Sequence, residues 1–232
     1  MSKKVVIHQP DFLPHLAFFH RLLNIDLYVI FDSAQFVDGT SRSWMHRDQI
    51  KTAQGKKWLS LSVEKANRNT PIKDIQLSTN VDWRANNLNL LHQNYDRAPF
   101  SEEIFPYIDE LYSNQTNSLV EFNLFSIKTL SSLLDINVET CRASELHAQG
   151  SSNALLVELL AEVGATTYLS GIGARDYFDP KPFDAANIKV EWQKFDHPNY
   201  TQLHGEFIPY LSSVDILFCC GIEKSREILR NC

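Results

Sequence analysis

The first 32 residues constrain the chain most. KKVVIHQ is a short β-branched run, HLAFFHRLLN repeats Leu16, Phe19, Leu22 and Leu23 at three- and four-residue spacing, and LYVIFD is a second apolar run. The pattern predicts strand, loop, helix, strand. A strand with almost no polar alternation suits a sheet covered on both faces, so the two strands are expected to lie parallel across a helical crossover. The loop after the first strand then sits at that strand's carboxyl end, where ligands bind in open α/β sheets.

Downstream, QIKTAQGKKWLSLSVEK places Gln54-Gly55 between two strand-like arms, which predicts a β-hairpin, and IKDIQLS reads as a third extended segment. Residues 82 to about 135 read as mostly helical: VDWRANNLNLLHQNYD stops before Pro99, EEIFPYIDELY follows, and SLVEFNLFSIKTLSSLL completes a helical subdomain. NVETCRAS and TTYLSG bracket the amphipathic SSNALLVELLAEVG as a second βαβ-like unit, with Ser152 or Asn153 as cap and Gly164 as stop. IKVEWQKF adds a strand, and YLSSVDILFCCG with EKSREILRN gives two terminal helices. The expected fold is one α/β domain over 1–232: a mixed, partly parallel sheet, flanking helices and a helical insertion mid-chain.

Hydrophobic residues make up 44% and charged residues 22% of the 232, as in ordinary soluble domains. A net charge of −6 argues against duplex nucleic acid as a partner. No apolar run approaches the roughly 20 residues of a membrane span, and MSKKVVIHQ is too short for a secretory core, so a cytoplasmic protein is expected. Cys141, Cys219, Cys220 and Cys232 show no metal or redox spacing and are assigned no chemistry.

Four polar segments are candidates for a site. In HQPDFLPHLAFFH, Pro10 and Pro14 stiffen a loop carrying His8, Gln9 and Asp11, which fits either a ligand loop or a simple turn. His15 and His20 are five residues apart, about 140° around a helix, too far round to share a metal, and no metal site is expected. The same stretch echoes the H-x-G-H turn of nucleotidylyltransferases, with different spacing and no glycine. SAQFVDGTSRSWMHRDQIK offers Gln35, Arg42, Trp44, His46, Arg47 and Lys51, with guanidinium forks for phosphate or carboxylate and an indole for stacking on sugar or base. YLSGIGARDYFDP sets Ser170 and Gly171 at a strand end, then Arg175 and Asp176, a small-residue turn suited to an anion but lacking the P-loop ending. FDHPNYTQLHGEF supplies His197, a general-base candidate, and Tyr200. No nucleophile elbow is present.

Taken together, VVIHQPDFLPHLAFFHRLLNIDLYVIFDSAQFV, SWMHRDQIKTAQGKKWLSLSV, GATTYLSGIGARDYFD and HPNYTQLHGEFIPYLSSVDILFCCG resemble the WbqC-like family of bacterial proteins across essentially the whole chain. The usual W-x-N-R-N of that family is here Trp44, Met45, His46, Arg47, Asp48. The resemblance implies a transferase of O-antigen or other surface-polysaccharide biosynthesis, passing an amino acyl group such as glycyl to the amine of a nucleotide-linked amino sugar. Under it, His8 or His197 acts as base, Gln9, Gln35 or backbone amides stabilise the oxyanion, and Arg47 and Arg175 hold the diphosphate, with Asp11, Trp44, Ser170, Gly171, Asp176 and Tyr200 as further binding groups. The cofactor is unknown: neither a coenzyme A signature nor an ATP motif says how the acyl donor is activated, and homo-oligomerisation stays open. Two alternatives remain, a non-catalytic sugar-nucleotide or glycan-binding accessory protein and a nucleotidyltransferase-like enzyme.

Overall fold

The computed structural model describes residues 2–38 and 44–232. The opening pattern folds as strand β1 (Lys4–His8), helix α1 (Leu16–Leu22) and strand β2 (Leu27–Ile30), with β1 and β2 paired in parallel from Val5 opposite Leu27 to His8 opposite Ile30. The hairpin forms as β3 (Arg47–Thr52) and β4 (Gly55–Ser60), an antiparallel ribbon separate from the main sheet. Helices α2 (Trp83–Tyr95), α3 (Ser101–Ser113) and α4 (Leu119–Leu133) follow, then β5 (Glu139–Arg142), α5 (Ser152–Glu162), β6 (Thr167–Ser170), α6 (Lys181–Ala185), β7 (Lys189–Trp192) and α7 (Val214–Arg230).

The main sheet has the order β5-β2-β1-β6-β7, and every pairing in it is parallel. Alternation within the strands decides which layer each residue joins. Val6, Tyr28 and Ile30 meet Phe18 and Leu22 of α1 in a core that continues into Leu91, Ile104, Phe122 and Leu217 of the helices. Val5, Ile7, Leu27 and Val29 meet Leu159 and Leu160 of α5 and Phe183 of α6 on the other face. Burial on both sides explains the unbroken apolar runs; each fully buried large side chain contributes about 1.5–3 kcal/mol.

Order also locates a crevice. From β1 the chain moves outward through β2 to β5, then returns to the other side of β1 for β6 and β7. The direction of winding reverses between β1 and β6, so the loops after His8 and Ser170 diverge around a switch point.

Three expectations need revision in detail. The strands around α5 are not neighbours, because β2 and β1 lie between β5 and β6; the adjacent second unit is β6, α6 and β7. IKDIQLS begins as a 3₁₀ turn at Ile72–Asp74 instead of an extended segment: Pro71 caps it, and Ile72 and Ile75, three apart, are both buried. The cap of α5 is Ser151, whereas the stop at Gly164 has the left-handed φ of 68°.

The terminal helix is two arms joined at Gly221, whose φ of 75° and ψ of 173° are open in practice only to glycine. A Cβ there would lie 2.5 Å from the Phe100 ring. Gly221→Ala is therefore expected to lose about 1–3 kcal/mol from the backbone alone, read as a lower midpoint in urea unfolding.

Candidate functional site

The loop after β1 is held from three directions. The amide of Asn123, on α4 and fully buried, donates to Pro10 O at 2.7 Å and Met45 O at 2.6 Å. Phe12 N donates to Trp44 O at 2.9 Å, which fastens the same loop to the hairpin lead-in. Ser212 and Ser213, just before α7, donate their hydroxyls to Leu13 O and Pro14 O, each at 2.7 Å. Pro10 and Pro14 supply only part of the loop's rigidity; the rest comes from the hairpin lead-in, α4 and the residues before α7.

This clamping fixes the protonation chemistry. His8 Nδ1 lies 2.8 Å from Gln9 O, and a carbonyl only accepts, so Nδ1 carries the hydrogen and Nε2 the lone pair. Asp11 Oδ2 is 3.7 Å from the same Nδ1. Asp11 is 8% exposed, and burial pushes its carboxyl up to about 7 despite the opposing pull of Arg21. His8 is driven down to about 3 by desolvation and then by the Arg21 guanidinium. His15 falls to about 4 for the same two reasons. The floor thus combines neutral imidazoles with a carboxyl that exchanges its proton near neutrality. Asp48 on β3, whose Oδ1 accepts from Gln49 N at 2.6 Å, is also pushed upward, by burial and by the Asp11 charge.

Arg21 sits on α1 with 8% exposure and donates Nη1 to Gln193 Oε1 at 3.1 Å. Gln193 follows β7; its amide nitrogen donates to Ala17 O at 2.8 Å, and its backbone N to Ser170 O at 2.8 Å. These bonds tie the ends of β6 and β7 to α1, from which Arg21 acts electrostatically on His8 and Asp11.

An aromatic wall continues from His15. Its ring packs edge-on to Trp44 at 6.3 Å and to Tyr210 at 6.0 Å. Trp44 meets Trp58 at 5.7 Å, the Arg47 guanidinium lies 4.4 Å over Trp58, and Tyr210 meets His197 at 4.8 Å. Trp58 and Tyr210 remain 38% and 49% exposed, so the wall has an open side. The segment bearing His197 and Tyr210 is pinned from below. Lys51 Nζ donates to Gln202 Oε1 at 3.1 Å and to the carbonyls of Gly205 and Glu206, while buried Asp215 accepts from Tyr95 at 2.7 Å and Tyr200 at 2.8 Å.

The residues singled out from sequence therefore fall into distinct settings. His8, Gln9 and Asp11 form the loop; Trp44 and Arg47 join the aromatic wall; Ser170 and Gly171 lie against Gln193 and Arg21. His197 has both ring nitrogens engaged, Nδ1 donating to Pro198 O at 2.8 Å and Nε2 accepting from Tyr210 N at 3.0 Å. Tyr200 gives its hydroxyl to Asp215. Arg175 stacks 5.1 Å over Trp192, and Asp176 beside it is exposed. Gln35 is exposed, and its backbone bridges to Pro71. Arg42 lies outside the described residues. His15 and His20 diverge, His15 to the aromatic wall and His20 to Phe195 and Gln193. Sequence reasoning missed Arg21, His15 as part of the wall, Trp58, Asn123, Gln193 and Tyr210. For Arg21 a signal existed: a cation flanked by Phe18, Phe19 and Leu22 on a short helix directly after a strand-end loop.

A sequence model of the WbqC-like protein family matches residues 9–227, the segment containing nearly all of this site. The chain belongs to the WbqC-like protein family. Among curated relatives of this WbqC-like chain is the uncharacterized protein Rv1507c of Mycobacterium tuberculosis (strain ATCC 25618 / H37Rv), 31% identical over 233 residues, covering 99% of both chains. No solved structure matches the chain. Among the described residues, no helix is long and apolar enough to cross a membrane.

The shifted groups act on stability in opposite directions. Asp11, raised from 3.8 to about 7, stabilises fully below pH 3.8 and loses that contribution as pH rises through 7. His8, lowered from 6.5 to about 3, contributes fully above pH 6.5 and loses it as pH falls toward 3. Asp11→Asn should accordingly gain stability over the wild type between pH 5 and pH 8, with an upper limit of roughly 4 kcal/mol over the whole titration, measured by urea unfolding at both pH values. An equal gap at the two pH values would contradict the burial of this charge.

Proposed function

We propose that this protein is an N-acyltransferase that passes an amino acyl group, such as glycyl, to the amine of a nucleotide-linked amino sugar during synthesis of O-antigen or a related surface polysaccharide. The observation that carries the reading is the pairing at the β1 end: the buried Asp11 carboxyl, pushed up by burial, 3.7 Å from the His8 ring, whose Nδ1 donates to Gln9 O and whose Nε2 has no partner among the described residues. The family match supports the setting, and the aromatic wall supports a ring-shaped substrate.

In this reaction the sugar amine attacks the acyl carbonyl carbon. The C–N bond forms, the bond from the carbonyl to its leaving group breaks, and the amine's proton passes to Asp11 and then to the leaving group. A carboxylate near 7 suits both transfers at neutral pH. His8 is too weakly basic to strip a free amine; its Nε2 accepts an N–H and aims the lone pair of the attacking nitrogen. His197 does not fit the base role, because taking a proton at Nε2 would break its bond from Tyr210 N. Gln9 and the backbone amides of the loop stand as oxyanion donors. Trp44 and Trp58 offer faces to the sugar or base.

The depressed basicity of His8 also suits the rival reading, a sugar-nucleotide-binding protein with no chemistry of its own. Incubation with dTDP- and UDP-amino sugars and a set of activated amino acids separates the two. The expected product gains the mass of one aminoacyl group; binding by calorimetry with no mass change in any product would leave the binding protein. Asp11→Asn should lower turnover by roughly 10²–10⁴-fold, and His197→Gln should lower it far less.

A further inference from the structure

Arg21 presents a problem that the fold alone does not solve. Arg21 is 8% exposed, and among the described residues it makes no ion pair; its hydrogen bond goes to a neutral amide, Gln193 Oε1. A buried cation without a contact anion costs several kcal/mol, and four of the five guanidinium donors are left for something else. Asp11 acts on it through space. Burial raises the Asp11 carboxyl and disfavours its charged form, so its compensation is partial.

The surroundings are built for that guanidinium. Gly171, first residue after β6, has an ordinary φ of −73°, so its lack of a side chain is not a backbone requirement. A Cβ at Gly171 would lie 2.7 Å from Arg21 Nη1. Glycine there lets the fork lie against the β6 end at the switch point. Gln193, which holds Arg21 from the other side, also lines a cleft of about 530 Å³ between α1 and the β6–β7 edge, together with Lys4, His20, Arg175, Trp192 and Lys194. Lys4 is paired with Glu191 at 2.8 Å, which leaves Arg175 and Lys194 as cations at this opening in a chain of net charge −6. The volume falls within the range of small-molecule sites.

We infer that Arg21, with Gly171 and Gln193, forms an oxyanion-binding pocket at the switch point that takes a phosphoryl group, and that the adjoining cleft carries the rest of the nucleotide. The phosphoryl assignment rests on the nucleotide-sugar reading above, whereas the anion pocket stands on the buried guanidinium itself. A planar fork binds tetrahedral phosphoryl oxygens in pairs, and the cations at the cleft suit the second phosphate of a diphosphate.

Calorimetry with UDP, inorganic pyrophosphate and acetate tests this on the wild type, Gly171→Ala, Arg21→Lys and Arg175→Ala. Gly171→Ala is the informative variant, since the added methyl meets the flexible end of Arg21 and no backbone; circular dichroism and thermal melting confirm its fold. The wild type should bind UDP and pyrophosphate, Gly171→Ala and Arg21→Lys should each weaken both at least tenfold, and Arg175→Ala should weaken UDP. Wild-type affinity in folded Gly171→Ala and Arg21→Lys, or no anion binding by the wild type, overturns the pocket. Acetate binding as tightly as pyrophosphate overturns the phosphoryl assignment. Arg21-dependent pyrophosphate binding in a protein that modifies no amino sugar would keep the pocket and remove the acyltransferase reading; acyl transfer unaffected by Gly171→Ala would do the reverse.

Discussion

The Asn123 amide is the contact on which the rest of the site depends. By donating to Pro10 O and Met45 O from a fully buried position, it locks the loop after β1 to the start of the hairpin. Together with the bond from Phe12 N to Trp44 O, it fixes His8 and Asp11 relative to Trp44. The amide's own oxygen has no partner among the described residues, so the two N–H bonds hold the group in place alone. An asparagine in the middle of a helix is unfavourable by propensity; here two buried carbonyls, which would otherwise be unsatisfied, account for it.

Around this lock the electrostatics are organised by exclusion of water rather than by ion pairs. Arg21 and the surrounding apolar packing hold His8 and His15 neutral, and the same desolvation keeps Asp11 from ionising fully. Burial therefore sets the state of all three, with Arg21 reinforcing it at the two histidines and opposing it at Asp11. A second buried network, Lys51 with Asp215, Tyr95, Tyr200 and Gln202, does mechanical work instead: it fixes the segment that brings His197 and Tyr210 to the aromatic wall. The two networks explain why residues of similar type, such as Tyr200 and Tyr210, play different parts.

The layered α/β fold was legible because burial on both faces leaves a strong mark: VVI and LYVI could hardly be anything but central strands, and the parallel pairing of β1 with β2 follows from their spacing. The strand order was not legible. Which strand lies beside β1 on its other side depends on how far the crossover through α5 reaches, and nothing in NVETCRAS or TTYLSG encodes that distance. The same limit applies to the site. The β1 loop announced itself through His8, Asp11 and two prolines, whereas Asn123 and Gln193 look like any polar residue until the chain has folded and brought them 113 and 172 residues along the sequence to Pro10 and Arg21. His197 drew attention as a lone histidine, but its role is decided by two backbone groups that sequence does not display.

In the proposed function the β1 loop, the hairpin lead-in and the His197 segment form one substrate site. A crystal structure of the protein soaked with a UDP-linked amino sugar tests it directly. The sugar amine should lie within about 3.2 Å of His8 Nε2 or Asp11, with the ring against Trp44 and Trp58. A ligand found instead in the cavity of about 640 Å³ lined by Leu124, Ile127 and Val138, whose lining includes neither residue, would contradict it.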